Sequence, residues 1–266
     1  MWRFNIWTTT GLLTIWAAEA LAQTGAGGTG VLGAGAARAS APALPAITAG
    51  SMGQVPQGWR LMTLPRQTLP ITQLRVEPTS GSGPAVALRV EAQASYGALL
   101  HELTEPAMPD ANTQLRWSWR LDKALDDADL RRKSGDDAAL KVCLLFNVPM
   151  ASLPFGERTR LQLARALSGE NLPTATLCYV WDTKLPAGTH LPNAYSSRVH
   201  YIVADGADSP LGVWRQQARP IAADFLRAFG TEAPRPVEVL ALALGADADN
   251  TGGHSLGWIS DISWRP

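Results

Sequence analysis

The residues of this chain whose types and spacing could do chemistry gather in its last twenty-odd positions. Gly253-His-Ser255-Leu-Gly257 has the G-x-S-x-G spacing that presents a nucleophilic serine on a strand-to-helix turn. That chemistry needs an acid and a histidine later in the chain, yet nine residues follow Gly257 and no histidine follows His254. The next segment, Trp258 to Trp264, alternates apolar and polar residues and reads as a strand, not a helix. A serine without a base partner is not activated, so this hydrolase reading is rejected.

The preceding run, Asp247-Ala-Asp249-Asn-Thr251-Gly252, places side-chain oxygens at positions 1, 3 and 5 and glycine at 6, as in the first half of a calcium loop. Position 12 is Trp258 where a bidentate glutamate belongs, and no helices flank the loop, so it is not an EF-hand. Asp247, Asp249 and Thr251 are nevertheless the residues that would hold a structural calcium. The plain alternative is an Asx-rich turn.

A third group comes from strand parity. In Gln114 to Leu121 the residues Leu115, Trp117, Trp119 and Leu121 point one way and Gln114, Arg116, Ser118 and Arg120 the other, the mark of a strand with one face in the core. The same parity argument displays Lys141, Asp182 and His200 on outward faces. A sugar site needs planar hydrogen-bonding groups beside an aromatic platform. Arg116, Arg120, Asp182 and His200 with Trp181 or Trp214 are the candidates. The alternative is a solvated sheet face whose cross-strand ion pairs contribute little. Asp136, Asp137 and Asp182 are the first carboxylates to test for glycoside chemistry, which depends on their separation in space. There is no zinc helix pattern, no C-x-x-C pair and no phosphate-cradling glycine loop.

The elements that must position these groups are almost all strands. Short alternating runs lie at 59–63, 71–76, 86–91, 95–103, 114–121, 141–146, 177–181, 199–204, from 214, 236–244 and 258–264. Two short helices interrupt them. Leu163, Ala164 and Leu167 mark one between Pro154 and Ser168. Ile221, Phe225 and Phe229, at i, i+4 and i+8 between Pro220 and Gly230, mark the other. The pattern predicts an all-β, antiparallel, jelly-roll-like β-sandwich with two small peripheral helices. A doubly wound α/β fold would need helices between most strands.

Composition bounds the rest. The 266 residues carry 23 basic and 23 acidic side chains, with no basic stripe to support nucleic-acid binding. Ten tryptophans against five Phe and four Tyr point to aromatic core anchors or stacking platforms. At the N-terminus, Arg3, an apolar run from Ile6 to Ala18 and Ala20-Leu-Ala22 read as a signal peptide over 1–22. The run is too interrupted for a span of about 20 apolar residues. Residues 23–54 are Gly, Ala, Ser and Pro with few large apolar side chains and read as a flexible linker. The folded domain is expected over 55–266, in the periplasm or secreted, with no membrane span once the signal is removed. Export permits a disulfide. Cys143 and Cys178 lie on strands whose opposite parity is the more apolar, so both point away from the core and can bridge if the strands are neighbours. Two buried unpaired cysteines are the alternative.

Leu115-Arg-Trp-Ser-Trp119, Gly135-Asp-Asp137, Leu177-Cys-Tyr-Val-Trp-Asp182, Gly212-Val-Trp214, Asp224 with Phe229-Gly230, and Asp247-Ala-Asp-Asn-Thr-Gly252 occur in this order. Together they resemble the domain-of-unknown-function family numbered 3047, found in exported bacterial proteins, over Trp59 to Trp264. The resemblance implies a fold and no catalytic residues. Cys178 departs from the family, where that position is more often polar, so a disulfide would be particular to this chain. The closing strand with Asp261 also resembles the last strand of jelly-roll carbohydrate-binding modules, at fold level only. The expected function is glycan binding by an exported sandwich. A polysaccharide-acting enzyme using carboxylates and a structural envelope protein are the alternatives.

Overall fold

The computed structural model describes residues 42–64, 66–168 and 172–265. Their strands are β1 (Arg60–Met62), β2 (Gln73–Pro78), β3 (Val86–Gln93), β4 (Tyr96–Ala107), β5 (Gln114–Lys123), β6 (Leu140–Phe146), β7 (Ala175–Trp181), β8 (His190–Pro192), β9 (Val199–Asp205), β10 (Arg215–Pro220), β11 (Val239–Asp247) and β12 (His254–Arg265). Helices α1 (Phe155–Ser168) and α2 (Ile221–Phe229) complete the set. The strands form a seven-stranded sheet, β1-β4-β11-β6-β7-β9-β8, and a five-stranded sheet, β10-β5-β12-β3-β2. This is an all-β sandwich with two short helices. One pairing departs from the antiparallel expectation: β7 and β9 run parallel. The Pro- and Gly-rich segment between them returns as the short edge strand β8, antiparallel to β9.

The two sheets meet through the alternation of β5. Trp117 packs on Tyr179 with ring centroids 5.2 Å apart, and Trp119 on Trp181 at 5.6 Å. Leu115, Leu121, Leu140, Val142, Leu144, Leu177 and Ile259 fill the same core. Trp119 Nε1 donates to the fully buried Asp205 carboxylate at 2.6 Å. Ser209 Oγ (2.8 Å), Gln217 Nε2 (2.6 Å) and Arg215 donate to the same carboxylate. That buried charge is tolerated because each oxygen is met by donors. It ties β9 of one sheet to β5 and β10 of the other.

Helix α2 lays Ile221, Phe225 and Phe229 on this core, with Phe225 4.7 Å from Phe146. Its Asp224 accepts two bonds from Arg219 (2.9 and 2.7 Å) and one from the Tyr179 hydroxyl (3.1 Å). Helix α1 is more peripheral: Leu163 is exposed, and Leu161 supplies contact with the core.

Residues 42–54 carry the fold further toward the N-terminus than composition implies. Leu44 and Ile47 pack on the core, the Gly53 N–H donates to the Val76 carbonyl (2.7 Å), and the Val76 N–H donates to that of Gln54 (3.1 Å). Two apolar side chains in a small-residue segment suffice to dock it. The signal segment 1–22 and the linker up to residue 41 lie outside the described residues. Among the described residues no helix is long and apolar enough to cross a membrane.

On the outer face of the seven-stranded sheet, Cys143 of β6 and Cys178 of β7 stand directly opposite each other and are disulfide-bonded. Leu100, Val180, Tyr201, Ala241 and Ala243 surround them in a second, smaller apolar cluster. A bridge between residues 35 apart removes chain entropy from the unfolded state. The loop-closure relation puts its contribution at about 4 kcal/mol. The double variant Cys143→Ala/Cys178→Ala should therefore lose about that much in urea denaturation, with a larger m-value because the uncrosslinked unfolded chain exposes more surface, and added reductant should have no further effect on it. A loss below about 1 kcal/mol would contradict this role.

Candidate functional site

The residues expected to form one sugar site do not come together: Arg116, Arg120 and Trp214 share the outer face of the five-stranded sheet, and Trp181, Asp182 and His200 belong to the other sheet and are turned away from that face. Arg120 and Trp214 do meet, on the five-stranded sheet. The Arg120 guanidinium lies 5.4 Å from the Trp214 centroid and 5.4 Å from that of Trp258, and pairs with Asp122 at 2.8 Å. Asp122 also accepts from Trp258 Nε1 (2.8 Å). The loop after β2 covers this group. Gly83 lies so close to the Trp214 indole that no side chain fits there, and Arg120 donates to the Ser80 carbonyl at 3.4 Å. Arg116 is on the same face, exposed and bonded to Gln114.

The other three lie elsewhere. Trp181 is a core residue. Asp182 is buried at the end of β7, where its carboxylate caps the next turn by accepting from the N–H groups of Lys184 (2.8 Å) and Leu185 (2.6 Å). His200 points inward, not outward, because the parallel register sets it beside Leu177. It packs edge-on against Phe229 at 4.7 Å, with His190 in hydrogen-bonding contact at 2.9 Å. Burial, helped by His190 and Arg198, pushes its pKa down to about 4.

A different group converges on the outer face of the seven-stranded sheet. Strands β11 and β6 are neighbours with Gly245 opposite Lys141. This brings the run at 247–251 against the turn at 135–137, over a hundred positions away in the chain. Asp137 is buried and organises the junction: it accepts the Asn250 N–H (3.0 Å), the Thr251 N–H (2.7 Å) and the Thr251 hydroxyl (2.5 Å). Asp247 accepts from Lys141 Nζ and from the Ala138 N–H, both at 2.8 Å. The Lys141 ammonium also sits 4.9 Å from the Tyr96 ring centroid. Burial opposes the charge on Lys141, but Asp247 and Tyr96 outweigh it and hold its pKa above the ordinary value.

Asp136 accepts from Asn193 Nδ2 (2.5 Å) and the Tyr201 hydroxyl (3.1 Å), and Asn193 Nδ2 also reaches the Tyr201 oxygen (2.8 Å). The exposed Tyr195 places its hydroxyl 2.8 Å from both the Lys133 carbonyl and Asn250 Oδ1. Two carboxyls here are perturbed. Burial, then the charge of Asp247, pushes Asp136 up to about 6. Burial, then Asp247 and Asp137, pushes Asp249 up to about 6. Acids shifted this far, grouped with tyrosines and carboxamides, mark a candidate binding or proton-transfer site.

The same contacts bear on the calcium reading. A cation at this loop would have to displace the Lys141 ammonium from Asp247 and the Thr251 hydroxyl from Asp137. Among the described residues no group of three His, Cys, Asp or Glu side chains is placed to hold a metal ion. In this structure Asp247 is paired with Lys141, and the Thr251 hydroxyl donates to Asp137.

The sequence model of the family described as "Protein of unknown function (DUF3047)" matches residues 57–263. The chain belongs to this family. The matched span holds the whole cluster, and two of the motifs that carry the family likeness, at 135–137 and 247–252, meet in it. No curated protein matches the chain. Among solved structures, the chain is similar to "Cellulose induced protein, Cip1" at 11% identity and TM-score 0.36, over 78% of this chain and 90% of that one. It is similar also to SGBP-B from a complex xyloglucan utilization locus in Bacteroides uniformis at 10% identity and TM-score 0.32, over 74% of this chain and 46% of that one. With scores this low, function is argued from the residues alone.

A carboxyl whose pKa is raised on folding adds stability below its unfolded value and loses it as pH rises through the folded one. For Asp249 that window runs from the ordinary 3.8 to about 6. Asp249→Asn should therefore stabilise the protein at pH 7.5, by on the order of 1–2 kcal/mol after allowance for solvent screening. It should do so much less at pH 4. Melting temperatures at the two pH values check this. Equal stability of variant and parent at pH 7.5 would show that the carboxylate is not penalised.

Proposed function

We propose that the protein is an exported glycan-binding module whose ligand lies against the segments 133–137, 193–201 and 247–251. The observation that carries this reading is the half-buried Asp249 carboxyl. It is kept at a cost to stability, beside the exposed ring of Tyr195 and the carboxamides of Asn193 and Asn250. Proteins accept such local costs at binding sites. The carboxamides hold these loops through bonds within the protein, and the remaining groups are of the kind that recognise sugars: a carboxyl bonds to hydroxyls, and an aromatic ring covers the C–H face of the pyranose. Export is supported by the signal-like N-terminus and by the disulfide, a bond that persists in oxidising compartments.

A second reading has its own support. Carboxyls near pH 6, such as Asp136 and Asp249, hold protons in the range where a general acid works on glycosidic bonds. The two readings share a site and differ in the fate of the sugar.

The test is a thermal-shift screen of the purified protein against plant and bacterial-envelope glycans, followed by titration of the hit. Ligand at a hundred times its Kd stabilises by about 2.7 kcal/mol. Tyr195→Ala should weaken the hit about tenfold, or roughly 1.4 kcal/mol, at unchanged melting temperature. Asp249→Asn should weaken it while raising the melting temperature. A hit recovered intact supports binding alone, and a hit recovered shortened supports the enzyme. Full affinity in both variants, or no hit in the screen, contradicts the site.

A further inference from the structure

A separate cavity opens at one end of the five-stranded sheet. Its volume is about 350 Å³ and it is lined by Pro70, Ile71, Gln73, Glu91, Gln93, Ala94 and Ser95. That is at the small end of the range for small-molecule sites, roughly 300–1,000 Å³. The sheet register builds its polar floor. Gln73 of β2 stands opposite Glu91 of β3, and Gln93 follows two residues on, so all three side chains share the outer face. The Gln73 oxygen accepts from Arg75, and the side chain is exposed. Gln93 is exposed at the rim.

Glu91 is the one charged residue in the lining, and its charge is matched locally. Arg89 pairs with one carboxylate oxygen at 2.8 Å and His254 with the other at 2.9 Å, while Lys123 contacts the far nitrogen of His254 at 2.8 Å. Each oxygen keeps a lone pair for a further donor. Pro70, the exposed Ile71 and Ala94 form an apolar wall.

Ala94 holds a left-handed backbone with φ of 45°. For a residue with a Cβ this conformation is disfavoured, and such strain collects at ligand sites. Two bonds fix the turn: the Ala94 N–H donates to the Gly253 carbonyl (2.9 Å), and the Gln93 N–H to Ser95 Oγ (3.0 Å).

We infer that this cavity binds a single neutral pyranose ring, with the Gln73 and Gln93 carboxamides and Glu91 on its hydroxyls and Ile71 against its C–H face. Carboxamides donate and accept in one plane, which suits vicinal hydroxyls. A carboxylate already paired with Arg89 and bonded to His254 has nothing to gain from a charged sugar. The inference goes beyond the function proposed above and shares no residue with that site, so either can fail alone.

The experiment titrates the 15N-labelled protein with a panel of neutral methyl pyranosides (gluco, galacto, manno and xylo) and with sodium glucuronate. Side-chain amide signals are assigned by Gln73→Ala and Gln93→Ala, both surface substitutions. At least one neutral glycoside should shift both amide signals saturably. The double variant should bind it at least about tenfold more weakly at unchanged melting temperature, and glucuronate should bind at least about tenfold more weakly than the glycoside. Absence of saturable shifts across the panel, undiminished affinity in the double variant, or glucuronate binding as tightly as the neutral sugars would each overturn the inference.

Discussion

The structure depends first on one contact, the aromatic seam where Trp117 and Trp119 of β5 meet Tyr179 and Trp181 of β7. Large rings facing each other across the sandwich fix the inward parity of both strands, and with it the outward parity of every residue between them. A one-residue slip in either strand would bury charges and expose indoles. Asp205 secures the seam by taking the Trp119 N–H and the donors from β10. Arg116 and Arg120 are outward on one sheet, and Lys141 and the disulfide outward on the other, because this seam leaves them no alternative.

On the seven-stranded side, the same arrangement assembles the polar cluster. Strand β11 enters between β4 and β6, so its terminal Asp247 arrives beside Lys141 and its following loop closes on Asp137. Some carboxylates there are fully matched: Asp137 by four donors, and Asp247 by an ammonium and a backbone N–H. Asp136 and Asp249 are not matched by a cation and resist ionisation. Matched groups hold the loops, Asp136 also anchors Asn193 and Tyr201, and among the described residues Asp249 has no such partner charge.

How far the sequence could be read follows from the range of the forces involved. Alternation in Leu115–Leu121 and the 3.6-residue period of Ile221, Phe225 and Phe229 are local, and they gave the β5 faces and α2 correctly. Parity says inward or outward and is silent about which sheet. Arg116 and Asp182 therefore looked like partners, although they belong to opposite sides of the molecule. His200 failed for a related reason. Its orientation follows from a parallel pairing with β7 that needs a long crossover, and no local pattern encodes that register. The cluster is the longest-range case, since Asp137 and Thr251 meet only because two distant strands are neighbours. Both runs, at 135–137 and 247–252, are legible as motifs, but the pairing that joins them is not. Leu44 and Ile47 were hidden by the small residues around them, where average composition outweighs two anchoring side chains.

The central claim is that the outer-face cluster at 133–137, 193–201 and 247–251 is where the protein meets a glycan. Hydrogen–deuterium exchange of the protein with and without a bound oligosaccharide tests this most directly, because it maps contact without altering a residue. The account requires added protection concentrated in those three segments, with the core strands β5 and β7 unchanged. Protection confined to other surfaces, or none there at saturating sugar, would contradict it.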